Sequence, residues 1–585
     1  MEKNMTNLPF KYHFLLFFIV FTMLCSPAAR ALEPTALTPA PKHEIRAVWL
    51  TTLNGLDWPR ALSNGSAAGI EAQKRQLTTI LDQLKAVGIN TVLLQTRVRA
   101  TTIYPSAMEP WDGCLTGSAG RNPGYDPLQF AIDECHRRGM QLHAWVVTIP
   151  VGKWTAAGCA QLRKRYPNLI KKIGDEGFMD PEKPQTATYI ADICEEIVRN
   201  YDVDGIHLDY IRYPETWKIK VSRAQGRRYI TGIAEAISQR VKRQKPWVMM
   251  SCSPIGKHDD LSRYSSRGWN ARTTVCQDAQ EWLRTGVMDA LFPMIYFRGN
   301  NFYPFAIDWQ EQSHGKIVAP GLATYMLDRR EGNWPLTTLT QEMDVLRRLG
   351  LGHTHFRSRF LTDNTKGIYT FERKFNPYPT LIPPMTWMNA TRPDAPTGFK
   401  FREARNDERG TKKEVMLTWT APARPKGGLL YNVYASATCP VDISDAKNLV
   451  ATRLTANYVT FANASQPMFY AVTALDRFGN ESRPLQSHQP DSRRSTLALQ
   501  PSTPNLPMLD CNGRLLTLPE KPANLDANTL AIETLQGKLV ATRPWRGEKT
   551  DVSTLPEGFY QLRSLGRKGI THRLGFFMVK RRTDI

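Results

Sequence analysis

Asp204-Gly205-Ile206-His207-Leu208-Asp209-Tyr210-Ile211-Arg212-Tyr213-Pro214 is the stretch on which the reading of this chain turns. Ile206 and Leu208 share one parity, and His207 and Asp209 share the other. Successive side chains of a strand point to opposite faces, so one face packs on helices while the other carries an imidazole and a carboxylate. Two ionisable groups on one face of a buried strand need water, a partner or chemistry. Pro214 closes the run, because proline has no N–H to give to a ladder. The stretch reads as a catalytic strand end, with Asp209 at the mouth of a barrel and His207 on the same face.

Working outward, seven more apolar runs have strand character: Ile45–Thr51, Thr91–Thr96, Gln141–Val147, Val248–Ser253, Ala290–Phe297, Lys316–Pro320 and His353–Arg357. Amphipathic segments lie between them. Leu77, Ile80, Leu81 and Leu84 fall on one helical face before Gly88, and Leu128, Ile132 and Cys135 on another before Gly139. Ile190, Ile193, Ile197 and Val198 precede the fourth run, and Met343, Leu346 and Leu349 the eighth. Eight strand–helix units predict an α/β fold, a (β/α)8 TIM-type barrel over residues 44–380. An open doubly wound sheet is the alternative, but no Gly-rich phosphate turn follows the first run.

The flanks read differently. Lys3 and Lys11, the apolar run Phe14 to Cys25 and the small-residue site Ala29-Arg30-Ala31 predict a signal peptide over residues 1–31. Export to the periplasm, the outer-membrane surface or the medium follows, with an association with the cell envelope. Beyond the Pro-rich boundary at 392–396, short alternating runs predict a small β-sandwich over 392–484. A polar linker at 487–507 leads to a last small all-β module over 508–585. The eight cysteines after Cys25 are scattered, with no CxxC pair and no Cys/His cluster, which argues against a disulfide scaffold and a structural zinc site. The net charge of +22 reads as a basic surface or as a groove for a polyanion. No nucleic-acid-binding signature accompanies it.

In a (β/α)8 barrel chemistry sits on the loops that follow the strands. Here those loops carry Asp57-Trp58-Pro59, Tyr104-Pro105, Pro110-Trp111-Asp112 and Tyr296-Phe297-Arg298. Flat aromatic faces beside Asp, Asn and Arg suit a sugar ring, which has apolar C–H faces and a hydroxyl rim.

Residues 44–375 resemble the bacterial glycosyl-hydrolase-like barrels that are distantly related to family 10 glycosidases. The segments that carry the resemblance include Ile45-Arg46-Ala47-Val48-Trp49-Leu50, Asn90-Thr91-Val92-Leu93-Leu94-Gln95-Thr96-Arg97, Gly124-Tyr125-Asp126-Pro127-Leu128, His143-Ala144-Trp145, Tyr201 through Pro214, and Phe356-Arg357-Ser358. The resemblance implies cleavage of amino-sugar polymers, including glycan strands of peptidoglycan stripped of peptides. Residues 394–482 resemble a fibronectin type III module, and the tail resembles a C-terminal sorting module. The pattern departs from that family at Thr148-Ile149-Pro150-Val151, at Tyr210 and at Met294.

Glycoside hydrolysis usually needs a proton donor and a second carboxylate. Asp209 is the proton-transfer residue, His207 its neighbour on the same face, and Asp57 the first candidate for the second carboxylate. Glu109, Asp112, Asp180 and Glu215 stand behind it. Strand seven, ending Ala319-Pro320-Gly321-Leu322, offers none. A route through the N-acetyl group of the substrate needs no second protein carboxylate. The acid of the chitinase strand-four pattern would fall at Ile211, which cannot donate a proton. Gln95, Arg97, Trp111, His143, Trp145, Arg212, Tyr213 and Tyr296 are the expected sugar contacts. No cofactor and no metal site is expected. The leading expectation is an exported glycosidase acting on an amino-sugar glycan, with a non-catalytic glycan-binding scaffold as the rival.

Overall fold

The computed structural model describes residues 37–487 and 509–579, apart from 265, 406–412, 424, 426, 463–467, 513, 520, 522–526, 535–538 and 567–570. The signal peptide expected at 1–31 and all but the first residue of the linker expected at 487–507 lie outside the described residues. Among the described residues, no helix is long and apolar enough to cross a membrane.

The barrel forms as the alternation predicts. Its strands are β1 (Arg46–Leu50), β2 (Thr91–Arg97), β3 (Gln141–Val147), β4 (Gly205–Asp209), β5 (Met249–Cys252), β6 (Ala290–Leu291), β7 (Ile317–Val318, continued by Gly321–Leu322) and β8 (His353–His355). One major helix follows each: α1 (Ala67–Ala86), α2 (Pro127–Arg137), α3 (Pro184–Asn200), α4 (Arg223–Gln244), α5 (Ala279–Thr285), α6 (Tyr303–Glu311), α7 (Leu336–Arg348) and α8 (Ile368–Phe375). Every ladder is parallel, and Arg46 pairs with His353. That last pairing closes the cylinder and excludes the open sheet. β7 is split because Pro320 has no N–H to continue its ladder.

Parity sorts the wall. Val48, Leu50, Val92, Leu94, Ala144, Ile206 and Leu208 face outward into the core shared with the helices. Ala47, Trp49, Leu93, Trp145, Val147, Met249 and Phe292 fill the interior. The helices dock by the faces read from the sequence, with Leu77, Ile80, Leu81 and Leu84 buried on α1, and Leu128, Ile132 and Cys135 on α2. Ser66 and Asp126 cap these two helices through hydrogen bonds to Gly69 N and Gln129 N. Between β3 and α3 the chain makes an arm, a three-stranded antiparallel sheet (Pro150–Lys153, Ile170–Ile173, Glu176–Met179) with a helix at Ala157–Arg165.

Downstream, a three-stranded and a four-stranded sheet built from Thr397–Gln486 pack face to face around Leu417, Trp419, Tyr431, Val433 and Val472. A four-stranded sheet and a two-stranded ladder, from Leu515–Val579, share a smaller core around Leu516, Leu530, Ile532 and Phe577. Cys114, Cys135, Cys159, Cys194, Cys252 and Cys276 are buried thiols that form no disulfide among the described residues.

The segment leading into the sandwich, and the sandwich itself, finish the lower end of the barrel. Met385 and Phe478 pack against the interior residues there, and Trp387 Nε1 donates to Asp289 Oδ1 at 2.9 Å just below β6. Asp204, at the foot of β4, accepts from His136 Nε2 (2.8 Å), Leu142 N (3.0 Å) and Arg453 (2.5 Å), and Arg477 lies 3.7 Å away. Burial alone would raise this carboxyl. Arg453, His136 and Arg477 together hold it well below the usual carboxylate range. Removing Arg453 leaves a buried charge short of its main partner. Arg453→Met is therefore expected to destabilise the protein by about 2–3 kcal/mol at pH 7. A depressed carboxyl stabilises above its unfolded value and loses that contribution as pH falls. The deficit should thus shrink below about pH 4, and Asp204→Asn added to Arg453→Met should recover part of it. Chemical denaturation at pH 7 and pH 3.5 checks this; an equal deficit at both would refute it.

Candidate active site

The mouth of the barrel is built around Asp209. This carboxylate is 9% exposed and is the last residue of β4. Its Oδ1 accepts from the Tyr210 N–H (2.8 Å) and from Ser253 Oγ (3.0 Å), and its Oδ2 from Trp145 Nε1 (3.2 Å). Its own carbonyl accepts from Thr148 N and Oγ1 at 2.9 and 2.8 Å, which ties β4 to the end of β3. Burial pushes the Asp209 carboxyl up, opposed by the Arg212 charge and by the three donors. Tyr210 turns the chain away from the strand with φ of 55°, a left-handed conformation that costs a non-glycine residue about 1 kcal/mol. That turn lets the Tyr210 amide cap the carboxylate of the residue before it.

A cluster of aromatic rings includes Tyr296, on which the Asp209 charge acts. Trp49, Phe292, Phe356, Tyr296 and Tyr325 stand edge to face or tilted, with centroids 5.3–6.3 Å apart. Gly321 makes room for them, since a Cβ there would lie 3.0 Å from Trp49 and 3.2 Å from Tyr296. The Tyr296 hydroxyl is buried without a hydrogen-bond partner, and the negative charge of Asp209 helps to raise its ionisation well above the ordinary phenol value, second to burial. Gln95 sits on the neighbouring wall. Its Oε1 accepts from Thr51 Oγ1 (2.5 Å), Thr52 N (3.0 Å) and Leu53 N (2.9 Å), leaving its amide nitrogen unbonded to protein.

His207 lies one layer deeper. Trp49 donates to its Nε2 (3.1 Å), so the ring proton is on Nδ1, which meets Ser251 Oγ at 3.1 Å. Burial, and His143 below it, hold its pKa well below the ordinary value, so it is neutral. His207 does not bond Asp209, because both of its nitrogens are already engaged. His143 is lower still, its Nε2 against Gln141 Oε1 at 3.0 Å. It fills the space beside Gly205, where a Cβ would come within 2.6 Å of the imidazole. The structure thus places His143 away from the mouth.

Several other expected contacts are braces. Arg97 is fully buried, paired with both oxygens of Glu109 (2.7–3.0 Å) and donating to the carbonyls of Val147 and Thr148. Tyr213 is buried against Trp217 in the outer core, at 5.6 Å between centroids. Trp111 is partly buried in the β2 loop, paired with Thr102. Arg212 lies 4.2 Å above the Tyr210 ring and bonds Glu215 at 2.7 Å, close enough for its charge to act on Asp209. Asp57 is fully buried, accepting from Thr51 N (3.1 Å), Arg359 N (3.3 Å) and the Arg357 guanidinium. Asp112 caps a short helix through Cys114 N, and Asp180 caps a turn through Glu182 N. None of the five carboxylates weighed as a partner bonds Asp209, Ser253 or Trp145.

Sequence reading missed Trp49, Ser251, Ser253 and Tyr325. The two serines carried a signal, since they alternate with Met250 and Cys252 on the parity that faces the interior. Among the described residues, one group has metal-ligand spacing: His353, His355 and Glu372, buried outside β8. Glu372 meets His353 Nε2 at 2.9 Å and His355 Nε2 at 3.4 Å, and Asn376 Nδ2 at 2.7 Å. Nearby Glu44 is bonded by Arg46 and Arg347 at 2.6–2.8 Å, so two carboxylates offset two guanidinium groups. The cluster reads as a neutral brace between β8 and α8.

The chain is similar to several known proteins. The family profile described as glycosyl hydrolase-like 10 matches residues 44–225 and 223–326, which run from just before β1 into the short 3-10 helix Thr324–Leu327 beyond β7. Glycosyl hydrolase YngK of Bacillus subtilis (strain 168) is 26% identical over 489 residues, covering 75% of this chain and 92% of that protein. Glycosyl hydrolase DigH of Escherichia coli (strain K12) is 32% identical over 311 residues, covering 47% of this chain and 70% of that protein. The glycoside hydrolase domain of PgaB (BpsB) from Bordetella bronchiseptica superposes with a TM-score of 0.40 at 14% identity, covering 56% of this chain and 98% of that one. The protein with Asp209 at its barrel mouth belongs to the glycosyl hydrolase-like 10 family.

Proposed function

We propose that this glycosyl hydrolase is exported and cleaves an amino-sugar glycan, peptidoglycan-derived strands first, with Asp209 as the proton donor. The observation that carries the reading is the Asp209 carboxyl itself. It lies at the mouth of the barrel, burial raises its pKa, and Ser253, Trp145 and the Tyr210 amide fix its direction. A raised pKa keeps a carboxyl protonated to higher pH, which suits an acid that must deliver a proton to a glycosidic oxygen.

The residues also favour an amino sugar. Asp57 and Glu109 are held in buried ion pairs, so neither supports the role of a protein nucleophile. The 2-acetamido oxygen of the substrate supplies that nucleophile instead. In this scheme Asp209 gives its proton to the glycosidic oxygen, the bond from that oxygen to the anomeric carbon breaks, and the acetamide oxygen bonds to the same carbon. Water, deprotonated by the Asp209 carboxylate, then opens the cyclic intermediate and restores the acetamide. The Tyr296 hydroxyl and the free Gln95 amide are donors toward the sugar, and Tyr325 and Phe356, partly exposed rings of the cluster, offer apolar faces to it. The sandwich at 397–486 takes the part of a fibronectin type III-like spacer in this reading.

Asp209→Asn should lower turnover on peptide-free glycan strands by about a hundredfold to ten-thousandfold while the protein stays folded. In the wild type, kcat/KM should fall on the alkaline side as pH rises through the raised Asp209 pKa. Strand length followed by chromatography measures both; binding without product by the wild type would sink the catalytic reading. Tyr296→Phe gives an independent check. It removes a buried hydroxyl that has no partner, so stability should be unchanged or up by about 1 kcal/mol. Turnover should nonetheless fall about tenfold or more, as expected when a hydrogen bond to the transition state is lost. A variant as active as the wild type would remove Tyr296 from the site.

A further inference from the structure

Beside the mouth, the chain carries a surplus of positive charge that the active site does not use. Residues 150–183, which contain the arm after β3, hold seven Lys or Arg against four Asp or Glu. Residues 215–228, which follow β4, hold five against one. These segments leave the C-terminal ends of adjacent strands, so they share the face that Asp209 opens onto. They also touch. Lys171 Nζ of the arm lies 4.3 Å above the ring of Trp217. On the other face of the arm's sheet, the Trp154 ring has Arg163 Cζ at 4.0 Å and Lys172 Nζ at 5.5 Å, two cations on one indole.

The cations are not neutralised by the protein. Lys164, Arg165, Lys171, Lys172, Lys218 and Lys220 are exposed, and none forms an ion pair with a described carboxylate. Like charges crowded on one surface repel, which disfavours the arrangement unless an anionic ligand offsets it. Stacking on indole rings holds Lys171 and Lys172, with Arg163, close to the surface rather than free in water. The track starts close to the reacting carboxylate. Arg212, whose charge acts on Asp209, bonds Glu215, and Trp217 N donates to Pro214 O at 3.0 Å.

We infer that this surface is an extended binding track for a carboxylate-bearing glycan chain that continues out of the barrel mouth. The inference rests on the glycan substrate proposed above and specifies its charge. Charge complementarity selects an anionic partner. An anionic lipid surface is the other source of negative charge, but neither segment contributes a large exposed apolar side chain that would enter a bilayer. A sparse row of carboxylates on a polymer matches cations spaced along two segments.

The test compares the full-length protein carrying Asp209→Asn, so that substrate is not consumed, with the same protein carrying Lys171→Glu, Lys172→Glu and Lys218→Glu in addition. The probes are long peptide-free peptidoglycan strands, the same strands with their lactyl carboxyls reduced to alcohols, and phosphatidylglycerol vesicles. The charge reversal should weaken binding of the native strands about tenfold at low salt and flatten its salt dependence. Binding of the reduced strands should be weak and equal for the two proteins. Equal affinity of both proteins for native strands overturns the track, as does no binding by either. So does an equal loss on the reduced strands, or vesicle binding that the same substitutions abolish. Turnover of a short oligosaccharide, measured with Asp209 intact, should be unaffected by the three lysine changes. Lost turnover in the wild type with the charge-dependent binding retained would sink the catalytic reading alone.

Discussion

An eight-stranded parallel barrel encloses just enough room for its own side chains, and every polar group placed inside must find its partner there. The interior of this protein obeys that limit layer by layer. At the bottom His143 takes the space that Gly205 leaves. Above it a neutral His207 is held between the Trp49 N–H and Ser251 Oγ. Only at the top layer is a charge-bearing group tolerated, and there Asp209 meets three donors. The site is therefore the place where the packing rule relaxes. The orphan Tyr296 hydroxyl marks the same boundary, since a donor that the fold leaves unsatisfied is one a ligand can satisfy.

Much of this was readable from residue pattern. Period-two alternation on β4 placed Asp209 and His207 on the inner face before any coordinates, and the eight apolar runs became the eight strands. What pattern could not supply was depth. Arg97 and Asp209 are both polar residues at strand ends, yet Arg97 is sealed against Glu109 while Asp209 reaches the mouth. Residue type does not separate these cases, because the partner Glu109 arrives from a loop. Tyr213 is a similar case: its position after β4 suggested a sugar contact, but the left-handed turn at Tyr210 redirects the chain into the outer core. Asp57 drew notice as a loop carboxylate, and only the return of β8 shows that Arg357 already claims it.

The site also depends on elements that do not touch it. β4 is anchored at its foot by Asp204, whose charge is matched by Arg453 and Arg477 from the sandwich. It is anchored at its head by Thr148, whose amide and hydroxyl both bond the Asp209 carbonyl. Between these two ends only five residues of strand intervene, so a shift at the base moves the carboxylate. The sandwich acts in this sense as part of the barrel's foundation.

That foundation has a consequence for how the chain comes to be folded. The last barrel strand ends at His355, but Met385, Arg453 and Phe478, which finish the lower end, are synthesised afterwards. Until they arrive, Asp204 lacks its two arginines and the interior at that end faces solvent. A nascent chain that has completed all eight strands is therefore not yet a finished barrel. It stays open at one end until well over a hundred further residues, through Arg477 and Phe478, have emerged. A fragment cut at the Pro-rich boundary between barrel and sandwich would keep Met385 but lose Phe478, Arg453 and Arg477, leaving Asp204 without its two arginines.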